Sequence, residues 1–343
     1  MKRVTIKDLA KMLNLSTSTV SRALSDHPDI SQATKNRVRQ AAEEFNYTTN
    51  VHARFFRKQH SGLIALILPE MNMFYTPNLI QGINKTIDQS KYSLITFITN
   101  DSYVKETEVI NQCLGWAVEG VLISLSKETY NLKHLEKLTQ ANIKCVLLDK
   151  TIDNEQHPTI TINNVDASYK GIAHLIENGH KNILGIFGSP NFSISRKRIK
   201  GYVRALTEKE LPVPKENIIS VDKSEDLDFI LPAILNHNKK ITAIFTMSDE
   251  LLAKSLYHIN ALGVSVPEEL SVLTISDGIY PYLTHPQVSH IKDSGNKMGR
   301  NACKLLIESI QSTEKDDPTR IFVPTKLVEL QSVKSINTTI LKH

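Results

Sequence analysis

Thr5-Ile-Lys-Asp-Leu-Ala-Lys-Met-Leu-Asn-Leu-Ser-Thr-Ser-Thr-Val-Ser-Arg22 is the stretch that decides how the rest of the chain is read. Ile6, Leu9, Ala10 and Leu13 recur at i, i+3, i+4 and i+7, which places four apolar groups on one face of a short helix. Thr5 is positioned to cap that helix, with Asp8 three residues on to complete a capping box. A second helix begins almost at once, with Ser16 as its N-cap and Val20, Ala23 and Leu24 turned inward. Only Asn14 and Leu15 separate the two. So short a connection forces a steep crossing, and Asn tolerates the left-handed backbone that the turn needs. Thr17, Ser18, Ser21 and Arg22 are left on the outward face, a set of small hydroxyls and one guanidinium. Such a surface suits a DNA groove, where hydroxyls bond phosphates or base edges and Arg grips guanine O6 and N7.

Working outward, Ser31 caps a third helix whose Val38, Ala41, Ala42 and Phe45 again repeat at helical spacing, completing a three-helix unit with its own core. Charge is concentrated in the same region. Residues 1–60 carry 11 Lys and Arg against 5 Asp and Glu; of the chain totals of 41 and 36, this leaves 30 and 31 for everything else. A basic minidomain on a near-neutral body is the electrostatic footprint of a nucleic-acid binder.

At these residues the chain resembles the lactose/galactose repressor (LacI/GalR) family of bacterial transcription regulators. The likeness is carried by Val4-Thr-Ile-Lys-Asp-Leu-Ala10, Ser18-Thr-Val-Ser-Arg-Ala-Leu24, Ile30-Ser31 and Asn46-Tyr47. It implies that the second helix lies in the major groove of operator DNA. Thr17, Ser18 and Arg22 then read bases, while Thr5, Ser16, Thr19, Ser21, Ser31 and Thr34 contact the backbone. Thr17 and Ser18 are short, so most direct readout falls to Arg22. The resemblance also makes residues 47–61 a hinge that becomes helical only when two protomers lie together on DNA, bringing Asn50, His52, Ala53 and Phe56 to the minor groove. Phe56 stands where the family's wedge is usually Leu; a ring of different shape between base steps changes the bend.

Length and composition frame the remainder. With 343 residues, 41% of them hydrophobic, the chain is long enough for two or three packed units. No apolar run approaches a membrane span, and none follows the basic N-terminus as an export signal would require. Cys113, Cys145 and Cys303 are odd in number and far apart, which reads as reduced, buried thiols in a cytoplasmic, nucleoid-associated protein.

From Gly62 onward short apolar runs alternate with amphipathic stretches. Leu63–Leu68, Leu94–Ile98, Val121–Ile123 and Cys145–Leu148 read as strands, and the rhythm restarts with Ile183–Phe187, Ile218–Val221, Ile241–Phe245 and Ser271–Ile275. Residues 79–89 and 132–141 are helical candidates between them. This alternation predicts two α/β lobes with parallel sheets, and ligands in such sheets bind beyond the carboxyl ends of the strands.

The resemblance extends to this region through Val165-Asp166, Asn178-Gly-His180, Gly201-Tyr202, Gly263-Val264 and Val266-Pro-Glu268, and implies a periplasmic-binding-protein-like core. It divides the chain into a DNA-binding domain at 1–46, the hinge at 47–61 and an effector-binding and dimerisation core at 62–343. Lobe 1 takes 62–161 and 292–322, lobe 2 takes 162–291 and 323–343, and the chain crosses between them near Ile160–Asn163, Ser289–Lys292 and Ile321–Thr325. Arg196 aligns with the ligand-gripping Arg, Asp149 and Asp101 with polar cleft positions, and Tyr75 with a stacking aromatic. Ser124, Ser248, Asp249 and Ser276 complete the expected effector site. Ser248-Asp249 stands where Asn-Asp is usual and Ser276-Asp277 where Asp-Asp is usual, so the effector is expected to be larger or held through water.

No metalloprotease, Walker or dinucleotide motif is present, and neither cofactor nor metal is expected. The reading is a sequence-specific regulator, a repressor, controlled by a carbohydrate effector and acting as a homodimer or tetramer on double-stranded operator DNA. A tail without leucine heptads favours the dimer. A solute-binding protein with no transcriptional role and an enzyme on the same α/β core are the open alternatives.

Overall fold

Asn14 adopts φ 54° and ψ 43°, the left-handed conformation that lets α1 (Ile6–Leu13) end and α2 (Thr17–Leu24) begin three residues later. The structure, a computed structural model, describes residues 4–45, 47, 61–71, 75–153, 156–312 and 318–336. Asn46, Asn50, His52, Ala53 and Phe56, and with them nearly all of the predicted hinge, lie outside those residues. Two compact units are present, residues 1–61 and 62–343.

In the first unit both halves of the capping box are made: Asp8 N–H donates to Thr5 Oγ1, and Thr5 N–H donates to Asp8 Oδ2 at 2.9 Å. Together with α3 (Gln32–Glu44), the helices enclose Leu9, Ala10, Leu13, Val20, Ala23, Val38 and Ala41. Arg37 ties α3 to the end of α1 by donating to the Leu13 carbonyl at 2.9 Å. Asp26 receives both Lys35 and Arg39, whose charges hold its carboxyl below the usual range. Phe45 departs from expectation. It follows the last turn of α3 as the C-cap and is 39% exposed, because the core is already closed by Ala41 one turn earlier.

The second unit contains two six-stranded sheets. The first, ordered β11-β5-β4-β3-β1-β2, is parallel throughout: β1 (Leu63–Leu68), β2 (Ser93–Ile98), β3 (Gly120–Ile123), β4 (Lys144–Leu148), β5 (Thr159–Ile162) and β11 (Arg320–Val323). The second, ordered β12-β10-β9-β8-β6-β7, comprises β6 (Ile183–Gly188), β7 (Ile218–Val221), β8 (Ala243–Thr246), β9 (Ser271–Ser276), β10 (Ser289–Lys292) and an antiparallel β12 (Lys326–Val328). β1, β3, β4, β8 and β9 are buried along almost their whole length, which is why they read as mainly apolar runs, with Thr246, Ser271, Thr274 and Ser276 the buried hydroxyls among them. The candidate helix at 132–141 is a 3-10 turn, Lys133–Leu135, followed by a short helix, Glu136–Gln140.

Sheet pairing fixes where the chain changes lobe. Val323 pairs with Ile162, so both belong to the first sheet, and the handovers fall at Asn163, at Asp293–Ser294 and at Pro324–Thr325. The lobe limits drawn from sequence, with Ile162 and Val323 in lobe 2 and Lys292 in lobe 1, shift by one residue to satisfy these ladders.

In lobe 1, α4 (Tyr75–Ile87) and α12 (Gly295–Gln311) approach through glycine. A Cβ on Gly299 would lie 2.2 Å from the Leu79 carbonyl oxygen, and one on Gly82 would lie 2.2 Å from that of Asn296. Backbone cannot yield as a side chain does. Gly299→Ala is therefore expected to cost about 2–3 kcal/mol of stability, read as a lower urea midpoint; an unchanged midpoint contradicts this packing.

Candidate nucleic-acid interface and effector cleft

The outward side of α2 is built on its cap. Ser16 Oγ accepts from Thr19 N–H at 3.0 Å and lies 2.7 Å from Ser18 Oγ and 2.8 Å from Thr19 Oγ1, so the first turn is braced by hydroxyls. Ser31 repeats the arrangement at α3, receiving Thr34 N–H. Thr5, Ser16, Thr17, Ser18, Arg22 and Ser31 are exposed, and Thr19, Ser21 and Thr34 are half-buried. The nine predicted residues that fall within the described headpiece thus sit at helix starts or on the open side of α2, where N–H groups and hydroxyls face solvent. Arg22 stands with 58% of its side chain exposed, 4.0 Å from Asp29, a loose surface pairing that leaves the guanidinium available. The Ser16 cap is worth about 1 kcal/mol, so Ser16→Ala is expected to lower headpiece stability by that amount in thermal unfolding followed by circular dichroism.

The second site is a cavity of about 560 Å³ at the carboxyl ends of the strands of both lobes. Lobe 1 contributes the segments after β1, β3 and β4; lobe 2 contributes those after β6, β7, β8 and β9; Asp293 enters from the second handover. Tyr75, Ser124, Asp149, Arg196, Ser248, Asp249 and Ser276 all line it. Asp101 does not. With φ at 58° it turns to Lys127, accepting from its N–H at 3.1 Å and pairing with its Nζ at 3.2 Å, and so holds the loop after β3. Three of the predicted hydroxyls also serve the fold: Ser124 accepts Lys150 N–H, Ser248 caps α10 (Asp249–Ala261), and Ser276 accepts Gly278 N–H.

The two arginines of α8 (Ser193–Glu208) have different surroundings. Arg196 is exposed, and its Nη1 donates to the Pro190 and Asn191 carbonyls at 2.9 and 2.7 Å. Arg198 is 5% exposed: Nε donates to Asn164 Oδ1 at 2.8 Å, Nη1 to the Met247 carbonyl, and Nη2 lies 4.0 Å from Asp293 Oδ2. The sequence signal was helical phase. Ser195, Arg198, Gly201, Tyr202 and Ala205 form the buried stripe of α8, and Arg196 falls off it. Gly201 sets the depth, since a Cβ there would lie 2.2 Å from the Val165 carbonyl oxygen of α7 (Asn164–Glu177). Asp277, Asp293, Phe192 and Tyr130 also line the cavity and were not among the expected residues.

Carboxylates dominate the floor. Burial pushes Asp149 up, carries Asp249 and Asp277 to about 6, and with Asp149 alongside carries Asp293 to about 8. Burial likewise raises the Tyr75 hydroxyl well above its ordinary range, with Asp293, Asp149 and Asp277 adding to the effect. Burial lowers Arg198 against the opposing pull of Asp293 and Asp149. An acid raised on folding binds its proton more tightly folded than unfolded, so stability falls as pH climbs from the unfolded value near 4 through the folded one near 6. Asp249→Asn removes that loss. Relative to the parent, the variant is expected to gain up to about 3 kcal/mol between pH 4 and 8 in urea unfolding; a constant offset across that range refutes the assignment.

Comparison with known proteins follows the same division. A model of bacterial regulatory proteins of the lacI family matches residues 5–50, and a periplasmic binding protein-like domain matches residues 172–333. Catabolite control protein A of Priestia megaterium is 28% identical over 333 residues, covering 96% of this chain and 99% of that protein. Among solved structures, the lac repressor dimer bound to operator and the anti-inducer ONPF superposes with a TM-score of 0.85 at 20% identity, over 97% of this chain and all of that one. The complex of the transcriptional regulator CelR with cellobiose gives 0.72 at 22% identity, over 96% and 100%. With relatives aligned along nearly its whole length, the chain carries the headpiece of the lacI family of bacterial regulatory proteins and a periplasmic-binding-protein-like core: it is a DNA-binding transcription regulator with an effector-binding core.

Proposed function

We propose that the chain acts in the cytoplasm as a homodimeric repressor that occupies a near-palindromic operator and changes its occupancy when a carbohydrate fills the cleft. The observation that carries the reading is the solvent-facing Thr17, Ser18 and Arg22 surface on a helix whose other side is locked into a closed three-helix core. Base contact falls to those three residues, and phosphate contact to Thr5, Ser16, Thr19, Ser21, Ser31 and Thr34. Asn50, His52, Ala53 and Phe56 supply the minor-groove contacts. In the cleft, Arg198 rather than Arg196 is the buried cation, with Asp149 and Asp249 as polar partners and Phe192, Tyr130 and Ile152 as apolar surface for a sugar ring. The cellobiose held by CelR is a ligand of that chemical class.

Coupling follows from placement. Asn164, Arg198's partner, adjoins the first handover between lobes and Asp293 lies on the second, so a ligand that bonds these groups biases how the lobes stand to each other. Such a bias changes DNA affinity only by the ligand's differential affinity for the two arrangements. The test is selection of duplexes from a random pool by the full chain, followed by anisotropy titration of the winner with and without mono- and disaccharides at fixed salt. Enrichment of a two-fold symmetric sequence and a sugar-dependent shift are expected. Enrichment of nothing above random competitor overturns the DNA reading, and an enriched site indifferent to every sugar overturns the carbohydrate reading.

A further inference from the structure

The cleft gathers more carboxyl groups than a neutral polyol has use for. Asp149, Asp249, Asp277 and Asp293 all line it, the second and fourth buried and the others half-buried; the cations beside them are the buried Arg198 and the half-buried Lys150, which is already paired with Glu70 at 2.9 Å. Asp277 is engaged, accepting Gly295 N–H at 2.7 Å. Asp249 Oδ1 and Asp293 Oδ1, on side chains that are each 5% exposed, have no hydrogen-bond partner among the described residues, and the buried Tyr75 hydroxyl shares that condition. An ionised carboxylate only accepts, so a buried, unpartnered oxygen on a side chain that lines a cavity calls for a donor or a positive charge. A metal ion does not answer it, since among the described residues no group of His, Cys, Asp and Glu is arranged to hold one.

We propose that the effector is a cationic sugar of the hexosamine type, whose ammonium is held at Asp293 while its hydroxyls engage Asp149 and Arg198. The inference rests on the carbohydrate reading of the cleft. An ammonium offers three donors and one charge in the volume of a methyl group, which suits the Asp293 carboxyl: Oδ1 is without a partner, Oδ2 lies 4.0 Å from Arg198 Nη2, and Asp149, Asp277 and Asp249 add negative charge around it. With burial lifting its carboxyl to about 8, Asp293 carries a proton at neutral pH in the empty cleft, and an incoming ammonium expels it. A neutral sugar does the opposite, keeping the proton as a donor to one of its oxygens.

The experiment is isothermal titration of the full chain at pH 7 with glucosamine, galactosamine and mannosamine beside glucose, galactose, mannose and N-acetylglucosamine, in buffers of different ionisation enthalpy. At least one amine is expected to bind ten-fold or more tightly than its neutral and acetylated counterparts and to release close to one proton. Asp293→Asn is expected to erase that preference and the proton release with it, and Asp293→Glu to restore both; thermal unfolding checks that both variants are folded. A neutral sugar that binds as well as its amine, through a site that Asp149→Asn abolishes, overturns the cationic effector and leaves the carbohydrate reading intact. Absence of binding by every compound overturns both.

Discussion

Replacing Arg22 with Ala is expected to remove most of the preference for operator over random duplex while leaving the weak attraction to any DNA in place. A bidentate Arg to guanine contact discriminates by about 1–3 kcal/mol, and a symmetric dimer makes it twice, so specific affinity falls on the order of 30-fold to 10⁴-fold if the half-sites add. Phosphate contacts from the capped helix starts remain, because Ser16, Ser31 and their N–H groups do not depend on Arg22. Folding should be untouched: the side chain is largely exposed and its pairing with Asp29 is loose. Arg39→Ala is the control, since it removes a charge of the same sign from α3 where the guanidinium is bonded to Asp26 at 2.9 Å. That variant should weaken specific and random duplex alike. Anisotropy titrations at one stated salt concentration measure the ratio, and a ratio unchanged by Arg22→Ala removes α2 as the reading element.

The headpiece was legible because its signals are local. Thr5 with Asp8, Ser16 with Thr19, and Asn14 in the turn are bonds made within four residues, and the structure forms each of them. The two sheets were legible for a related reason: a parallel strand buried on both faces needs an apolar run, and Gly, Asn and Asp at its ends punctuate it. Strand pairing is where sequence stopped. That Val323 aligns with Ile162, and so belongs to lobe 1, depends on a partner 161 positions away.

The cleft was partly legible for the same reason. Loops beyond strand ends announce themselves, which is how Tyr75, Ser124, Asp149, Ser248, Asp249 and Ser276 came to line one cavity. Which way a loop side chain turns is set by neighbours distant in sequence. Asp101 turns to Lys127 and leaves the cavity wall. Asp293 follows a strand of ordinary polarity, Ser289–Lys292, and gains its importance only from Asp149, Asp249 and Asp277 arriving from three other segments. Arg198 is the exception that sequence could have found, because the spacing of Ser195, Arg198 and Gly201 already puts it on the buried stripe of α8.

Arg198→Met should unfold the core far more readily than Arg196→Met and should also abolish the effector response, although the two residues are neighbours on one helix. Removing the Arg198 guanidinium strands the Met247 carbonyl, Asn164 Oδ1 and the Asp293 carboxyl in a buried setting. Breaking such a pair typically costs about 3–5 kcal/mol, and the proton that Asp293 already carries at neutral pH pulls this toward the lower limit. A midpoint drop on the order of 10 °C follows for a core of this size. Losing a charged donor weakens effector binding by a further ~1.5–3 kcal/mol, roughly 10-fold to 150-fold. Arg196 is exposed and bonded only to carbonyls of its own loop, so Arg196→Met should move stability by no more than about 0.5 kcal/mol and effector affinity by less than three-fold. Arg198→Lys should not rescue, because an ammonium cannot span Asn164, Met247 and Asp293 as a planar fork does. Thermal unfolding and ligand titration on the same three proteins decide the matter. If Arg196→Met proves the damaging change and Arg198→Met the silent one, the ligand-gripping cation is the exposed arginine to which the family resemblance points, and the buried network around Asp293 is scaffolding.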